Sequence, residues 1–147
     1  KTIGRLANDC PNIVAVKEAA GSLDQVSEIL TLTPPAFTVL SGDDSLTLPM
    51  MAVGAKGVIS VVANIAPKET QALCAAYLKG DMKKSKTAHL KLFPLVKSLF
   101  IETNPIPVKA ALAMMGLCRP EPRLPLTPLS SEARLALKRA LKEFGLI

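Results

Sequence analysis

Three short apolar runs, each followed by a helical pattern, fill the first 80 residues, and no further run follows Gly80. The runs are residues 13–17 (IVAVK), 36–44 (AFTVLSGDD) and 54–64 (GAKGVISVVAN). They are continuous rather than alternating, which predicts parallel strands buried on both faces by the intervening helices. The helical patterns agree. Ser22 with Gln25 three positions on is a capping-box start, and Leu23, Val26, Ile29 and Leu30 keep helical spacing. A short apolar helix is expected over 45–53. Pro67 opens another, with Leu73, Ala76 and Tyr77 on one face and Gly80 at its end.

After Gly80 the pattern becomes purely helical. Residues 81–99 read as one helix, and Pro105 or Pro107 starts a second, running through Ala110, Leu112 and Met115 to Gly116. The proline-rich stretch 118–129 reads as an extended connection. Ser130 or Ser131 then caps a last helix, with Leu137, Ala140, Leu141 and Phe144 on one face and Gly145 at its end. Two units are therefore expected: residues 1–80 as three strand–helix units and residues 81–147 as an α-helical domain.

A three-stranded parallel sheet has two open edges, and an edge as apolar as GVISVV would aggregate unless covered. The chain also opens on Lys1 within a helix-like stretch, KTIGRLAND. Both features predict that these residues belong to a larger fold, whose other strands come from an upstream segment or another chain.

Composition excludes several functions. At 49% apolar residues the chain is not disordered, and no uncharged apolar stretch approaches the roughly 18 residues of a membrane span. With no signal peptide evident, a cytoplasmic location is the expectation. The net charge of +6 raises nucleic-acid binding, but the basic residues are scattered and aromatics make up only 3%. The densest basic cluster, Lys79 to Lys86, reads as a solvated helix boundary. Cys10, Cys74 and Cys118 form no CxxC pair, and His89 is the only histidine, so a zinc site lacks ligands. The three thiols read as reduced.

In parallel α/β folds ligands bind beyond the carboxyl ends of the strands. Lys17 ends the first run, Ser41 to Asp44 the second, and Val62 to Asn64 the third. The period of two puts Ile13, Ala15 and Lys17 on one face and Val14 and Val16 on the other. In a closed barrel the Lys17 face is interior, where low dielectric favours a neutral, nucleophilic amine that can form a Schiff base with a ketone. The alternative is a strand-end lysine that reaches solvent or pairs with Glu18. Gly42 reads either as a turn residue with positive φ or as a place where a substrate approaches the backbone. Asp43 and Asp44 read as loop or cap carboxylates, with acid–base work the alternative. Asn104 reads as holding the turn before a proline-started helix, and Tyr77 as packing.

These residues resemble the dihydrodipicolinate synthase family, within the pyruvate-dependent Schiff-base aldolases that include N-acetylneuraminate lyase. NIVAVKEAAGS resembles the family's lysine-bearing sixth strand. LSGDDSLTLPMMAVGAKGVISVVANIAP resembles its seventh and eighth strands, and ETNPIPVKAALAMMG and RLPLTPLS its C-terminal helical region. The resemblance implies an α/β fold: strands six to eight of a (β/α)8 TIM barrel, then an all-helical C-terminal domain. It implies that Lys17 condenses with pyruvate, that Gly42 and Ile59 line the pyruvate pocket largely through backbone, and that the enamine attacks aspartate semialdehyde in lysine and diaminopimelate biosynthesis. It implies no metal or organic cofactor, a homotetramer, and no nucleic-acid or membrane partner. The first five strands have no counterpart here, so the missing N-terminal half of the barrel is an expected partner and the chain alone is expected to be poorly active. Two other readings remain: a non-catalytic module for oligomerisation, and a related pyruvate aldolase with another aldehyde.

Overall fold

The structure, a computed structural model, describes residues 1–147. In chain order its elements are α1 (Thr2–Asp9), β1 (Ala15–Glu18), α2 (Leu23–Leu32), β2 (Thr38–Ser41), α3 (Thr47–Ala52), α4 (Pro67–Leu78), α5 (Met82–Ser98), α6 (Ile106–Met114) and α7 (Ser131–Phe144). Single 3₁₀ turns lie at Asp44–Leu46 and Val62–Asn64. Residues 118–129 are extended, without a regular element.

β1 and β2 pair in parallel, with Val16 opposite Val39 and Lys17 opposite Leu40. The third run, expected as a strand over 54–64, is shorter. It joins β2 by one parallel bridge, Ser41 to Val58, supported by Lys56 N–H to Val39 C=O at 2.9 Å and Ile59 N–H to Ser41 C=O at 2.8 Å. It leaves the sheet after Ser60 because the next two amides donate to the Asp44 carboxylate, at 2.9 Å from Val61 and 3.2 Å from Val62. The carboxylate thereby caps the second 3₁₀ turn, and those amides do not extend the ladder.

The expectation of burial on both faces is also corrected. Val16, Glu18, Val39 and Ser41 turn toward the helices, whereas Ala15 and Lys17 are exposed and Thr38 and Leu40 half-buried on the opposite face. Ile13 does not share the Lys17 face. It precedes the paired residues and packs against the helix-side cluster with Val16, while Val14 is 66% exposed.

Two apolar clusters hold the chain. The smaller joins Val26, Ile29, Phe37, Val39, Met50 and Ala55, locking α2 and α3 onto the back of the sheet. The larger runs from Met51 and Val62 through Leu73, Leu95 and Leu99 to Leu137 and Leu141. Helix ends explain where its members begin and stop. Pro67 occupies the first turn of α4, where its missing N–H is not needed. The Asp81 carboxylate accepts from Lys84 N–H at 2.9 Å to start α5. The Ser130 hydroxyl accepts from Ala133 N–H at 3.3 Å to start α7, and Gly145 ends it at φ 86°. Asn104 does not hold the turn before α6 through its amide. Its side chain is exposed and unpaired, and Ile106 N–H closes that turn on Thr103 C=O at 3.0 Å.

Candidate active site

Lys17, Gly42 and Ile59 meet at the carboxyl end of the sheet. Lys17 is the third residue of β1, and strand alternation sends it to the exposed face while sending Glu18 to the helix side. The two therefore do not pair. Glu18 is only 6% exposed, and its carboxylate accepts from Ala20 N–H at 2.6 Å and from the Gln25 side-chain amide at 2.9 Å. These bonds tie the loop after β1 to the first turn of α2. Gln25 thus reaches back to Glu18, while its own N–H meets the Ser22 hydroxyl at 3.2 Å.

Gly42 follows β2, and its N–H donates to Glu18 C=O at 2.7 Å. It is not among the glycines with positive φ, so the turn reading is set aside. Its reason is space: a Cβ placed there would lie 2.6 Å from Ala19 Cβ and 3.0 Å from Lys17 Cε. The lysine stem passes over the glycine's bare backbone. Ile59 sits on the neighbouring run, bonded through its N–H to Ser41, and its side chain is 47% exposed on the open side of the sheet. Its carbonyl accepts no hydrogen bond from within the chain. The low-dielectric surroundings expected around Lys17 are not supplied by this chain, in which that side chain is exposed.

The loop after Gly42 is rigidly held. The Ser41 hydroxyl donates to Asp43 C=O at 2.7 Å and accepts from Asp43 N–H at 3.2 Å. Asp44 is 6% exposed and accepts from the Ser60 hydroxyl as well as from the Val61 and Val62 amides. It is a cap carboxylate, as the residue type suggests, but for a turn 18 residues away in sequence. No local pattern announces that Ser60 meets Asp44 or that Glu18 meets the Gln25 side chain, because those partners lie 16 and 7 residues away on other elements.

Elsewhere, Tyr77 packs against the larger cluster and the cluster of lysines from Lys79 to Lys86 is exposed. The three cysteines are free, and burial raises the pKa of the Cys74 thiol. No three His, Cys, Asp or Glu side chains gather to hold a metal ion, and no helix is long and apolar enough to cross a membrane.

The model of the dihydrodipicolinate synthetase family matches residues 1–144. The chain belongs to this family. It is 54% identical over 147 residues to the 4-hydroxy-tetrahydrodipicolinate synthase of Methanocaldococcus jannaschii, covering 100% of this chain and 50% of that protein. The crystal structure of dihydrodipicolinate synthase from Aquifex aeolicus matches with a TM-score of 0.96 at 52% identity, over 99% of this chain and 50% of that one. The chloride-inhibited dihydrodipicolinate synthase from Acinetobacter baumannii, solved in complex with pyruvate, matches with a TM-score of 0.93 at 44% identity, again over 99% of this chain and 50% of that one. The chain spans about half the length of the curated relatives it matches. As a member of the dihydrodipicolinate synthetase family it is part of an α/β barrel together with a helical part, and the open face of its sheet carries the lysine.

Proposed function

We propose that this chain is the Schiff-base portion of a 4-hydroxy-tetrahydrodipicolinate synthase. Residues 1–80 supply strands six to eight of an eight-stranded barrel, and residues 81–147 form the helical C-terminal domain. The N-terminal half of the barrel completes the site. The Lys17 amine adds to the C2 carbonyl of pyruvate and water leaves, giving an iminium. Loss of a proton from C3 yields the enamine. Its C3 attacks the aldehyde carbon of aspartate semialdehyde, forming the carbon–carbon bond, and the aldehyde oxygen takes up a proton. The amino group of the semialdehyde portion then displaces Lys17 from C2, which closes the ring and frees the lysine. The iminium is the electron sink, so the chemistry calls for no metal or organic cofactor.

The observation that carries this reading is the approach of Lys17 Cε to Gly42, where a side chain would obstruct the amine's path to its substrate. The free carbonyl of Ile59 supports a pocket lined by backbone on the adjacent run. Family membership supports the substrates, and the resemblance alone supports a cytoplasmic homotetramer.

Borohydride reduction in the presence of pyruvate, read by peptide mass spectrometry, tests it. In a barrel completed by the N-terminal half of a relative, the expected result is a reduced adduct on Lys17, absent from Lys17→Arg. A folded, completed barrel without that adduct overturns the Schiff-base reading. This chain alone is expected to trap little pyruvate, and turnover by it comparable to the completed barrel would overturn the need for the other half.

A further inference from the structure

We propose that Asp44 is a positioning residue that sets the width of the 2-oxo-acid pocket, and thereby its preference for a three-carbon substrate. This rests on the pocket proposed above, between Gly42 and Ile59. Those two residues lie on different segments, one following β2 and one on the run bridged to it. At the carboxyl end the direct backbone link between the segments is the Ile59 N–H to Ser41 C=O bond. Beyond it the ladder has ended, and parallel neighbours without further bonds are free to splay.

Asp44 holds them there. It is buried, it begins the turn two residues after Gly42, and its two oxygens accept from the Ser60 hydroxyl and from the Val61 and Val62 amides. Ser60 is itself fixed, since its hydroxyl also accepts from Ala63 N–H at 2.8 Å. On the other side, the Ser41 hydroxyl grips both Asp43 N–H and Asp43 C=O. The chain of bonds runs from the residue before Gly42, through Asp44, to the residue after Ile59. A carboxylate suits this role because it accepts from several donors at once and donates to none. An asparagine of the same size has one accepting oxygen, and its NH₂ would face donors.

The clamp predicts a change in substrate discrimination rather than stability alone. In the completed barrel, rates of borohydride trapping on Lys17 are compared for pyruvate and for 2-oxobutyrate, one methylene longer. Asp44→Asn is expected to raise the pyruvate half-saturation by about tenfold, as sub-ångström looseness in substrate placement does. It should also shift the pyruvate to 2-oxobutyrate ratio by about threefold or more toward the longer acid. Ser60→Ala should shift the ratio in the same direction by less, while Ser60→Thr, which keeps the hydroxyl, should preserve it. Should Asp44→Asn fail to fold, the Ser60 pair decides. Folded variants with unchanged half-saturation and an unchanged ratio overturn the proposal and leave Asp44 as a turn cap. Absence of any wild-type adduct overturns the Schiff-base reading instead, so the two failures are distinguishable.

Discussion

The helical side of this molecule closes around its own core, whereas the sheet side leaves one of its faces open. In the helical side, fourteen buried residues form one continuous cluster, and Leu99, Ala111, Leu137 and Leu141 within it are fully excluded from solvent. Lys91 of α5 extends over the Phe144 ring of α7, 5.3 Å from its centroid, sealing the rim where the two helices meet. In the sheet side the corresponding cluster holds six residues, all behind the strands. In front of them Ile59 is exposed, with Lys17 on the same open face of the sheet. The difference teaches where each region's stability is complete. The helices bury a continuous core among themselves, although Leu90 of α5 and Leu135 of α7 stay exposed, whereas the strands leave one whole face open, with the Lys17 amine on it.

The largest effect that follows is on stability. Leu137→Ala removes a fully buried side chain from the larger cluster and is expected to cost about 2–5 kcal/mol. Ile59→Ala, on the open face, should change stability by no more than about 0.5 kcal/mol. Urea unfolding of both variants of this chain checks the contrast. In a completed barrel the Ile59 substitution should become costly, because its side chain would then be covered. Equal costs for the two substitutions in this chain would break the comparison.

The same contrast explains what could be read from sequence. The helices were legible because their signals are local. Ser22, Pro67, Ser130 and Gly145 mark ends that the structure places within a residue or two. Leu73, Leu137 and Leu141 fall on the buried faces that their spacing predicts. The meeting of Lys17 and Gly42 at one end of the sheet was also legible, from strand period and order alone. The third strand is shorter than its apolar run predicts. Residues 54–64 are apolar enough to pair throughout, but a carboxylate at position 44 withdraws the amides of residues 61 and 62 from the ladder. That competition spans 17 and 18 residues, and no pattern within the run records it. Nor does Glu18 announce that it serves α2 rather than Lys17. Burial on both faces is not reached within this chain for a similar reason: apolar content shows that a strand can be covered, and not which chain covers it.

A second prediction sharpens the sheet side. Gly42→Ala introduces a Cβ that must displace Ala19 or the Lys17 stem, since the space available is 2.6 Å to one and 3.0 Å to the other. Trapping of pyruvate on Lys17 in the completed barrel should slow by about tenfold or more, as misplacement of a reacting group does. The helical side should be indifferent, so the unfolding of its core, followed by hydrogen exchange in α5 and α7, should match that of the parent. Slowed trapping accompanied by faster exchange across α5 and α7 would show that the two regions are not separable in this way.

The smallest effect concerns the seam between the regions. His89 of α5 lines a small cavity with Asp44, Ser45, Thr47 and Thr70, against the turn that follows β2. Partial burial lowers its pKa below the ordinary value of 6.5. Asp44 is the ionisable group of that turn lining the cavity, and its oxygens are already engaged by Ser60, Val61 and Val62. Below pH 6.5 the unfolded chain binds a proton at His89 that the folded chain resists. Stability is therefore expected to fall as the pH drops through 6.5, and to level off below the lowered pKa of the folded state. Because His89 is the only histidine, His89→Gln should flatten this part of the profile without altering the fall at more acidic pH, where carboxylates titrate. Urea midpoints measured from pH 8 to pH 5 for the two proteins would check it. A parent profile that is flat across that range would mean that the cavity admits enough water to solvate the imidazolium, and that the seam is looser than the two regions it joins.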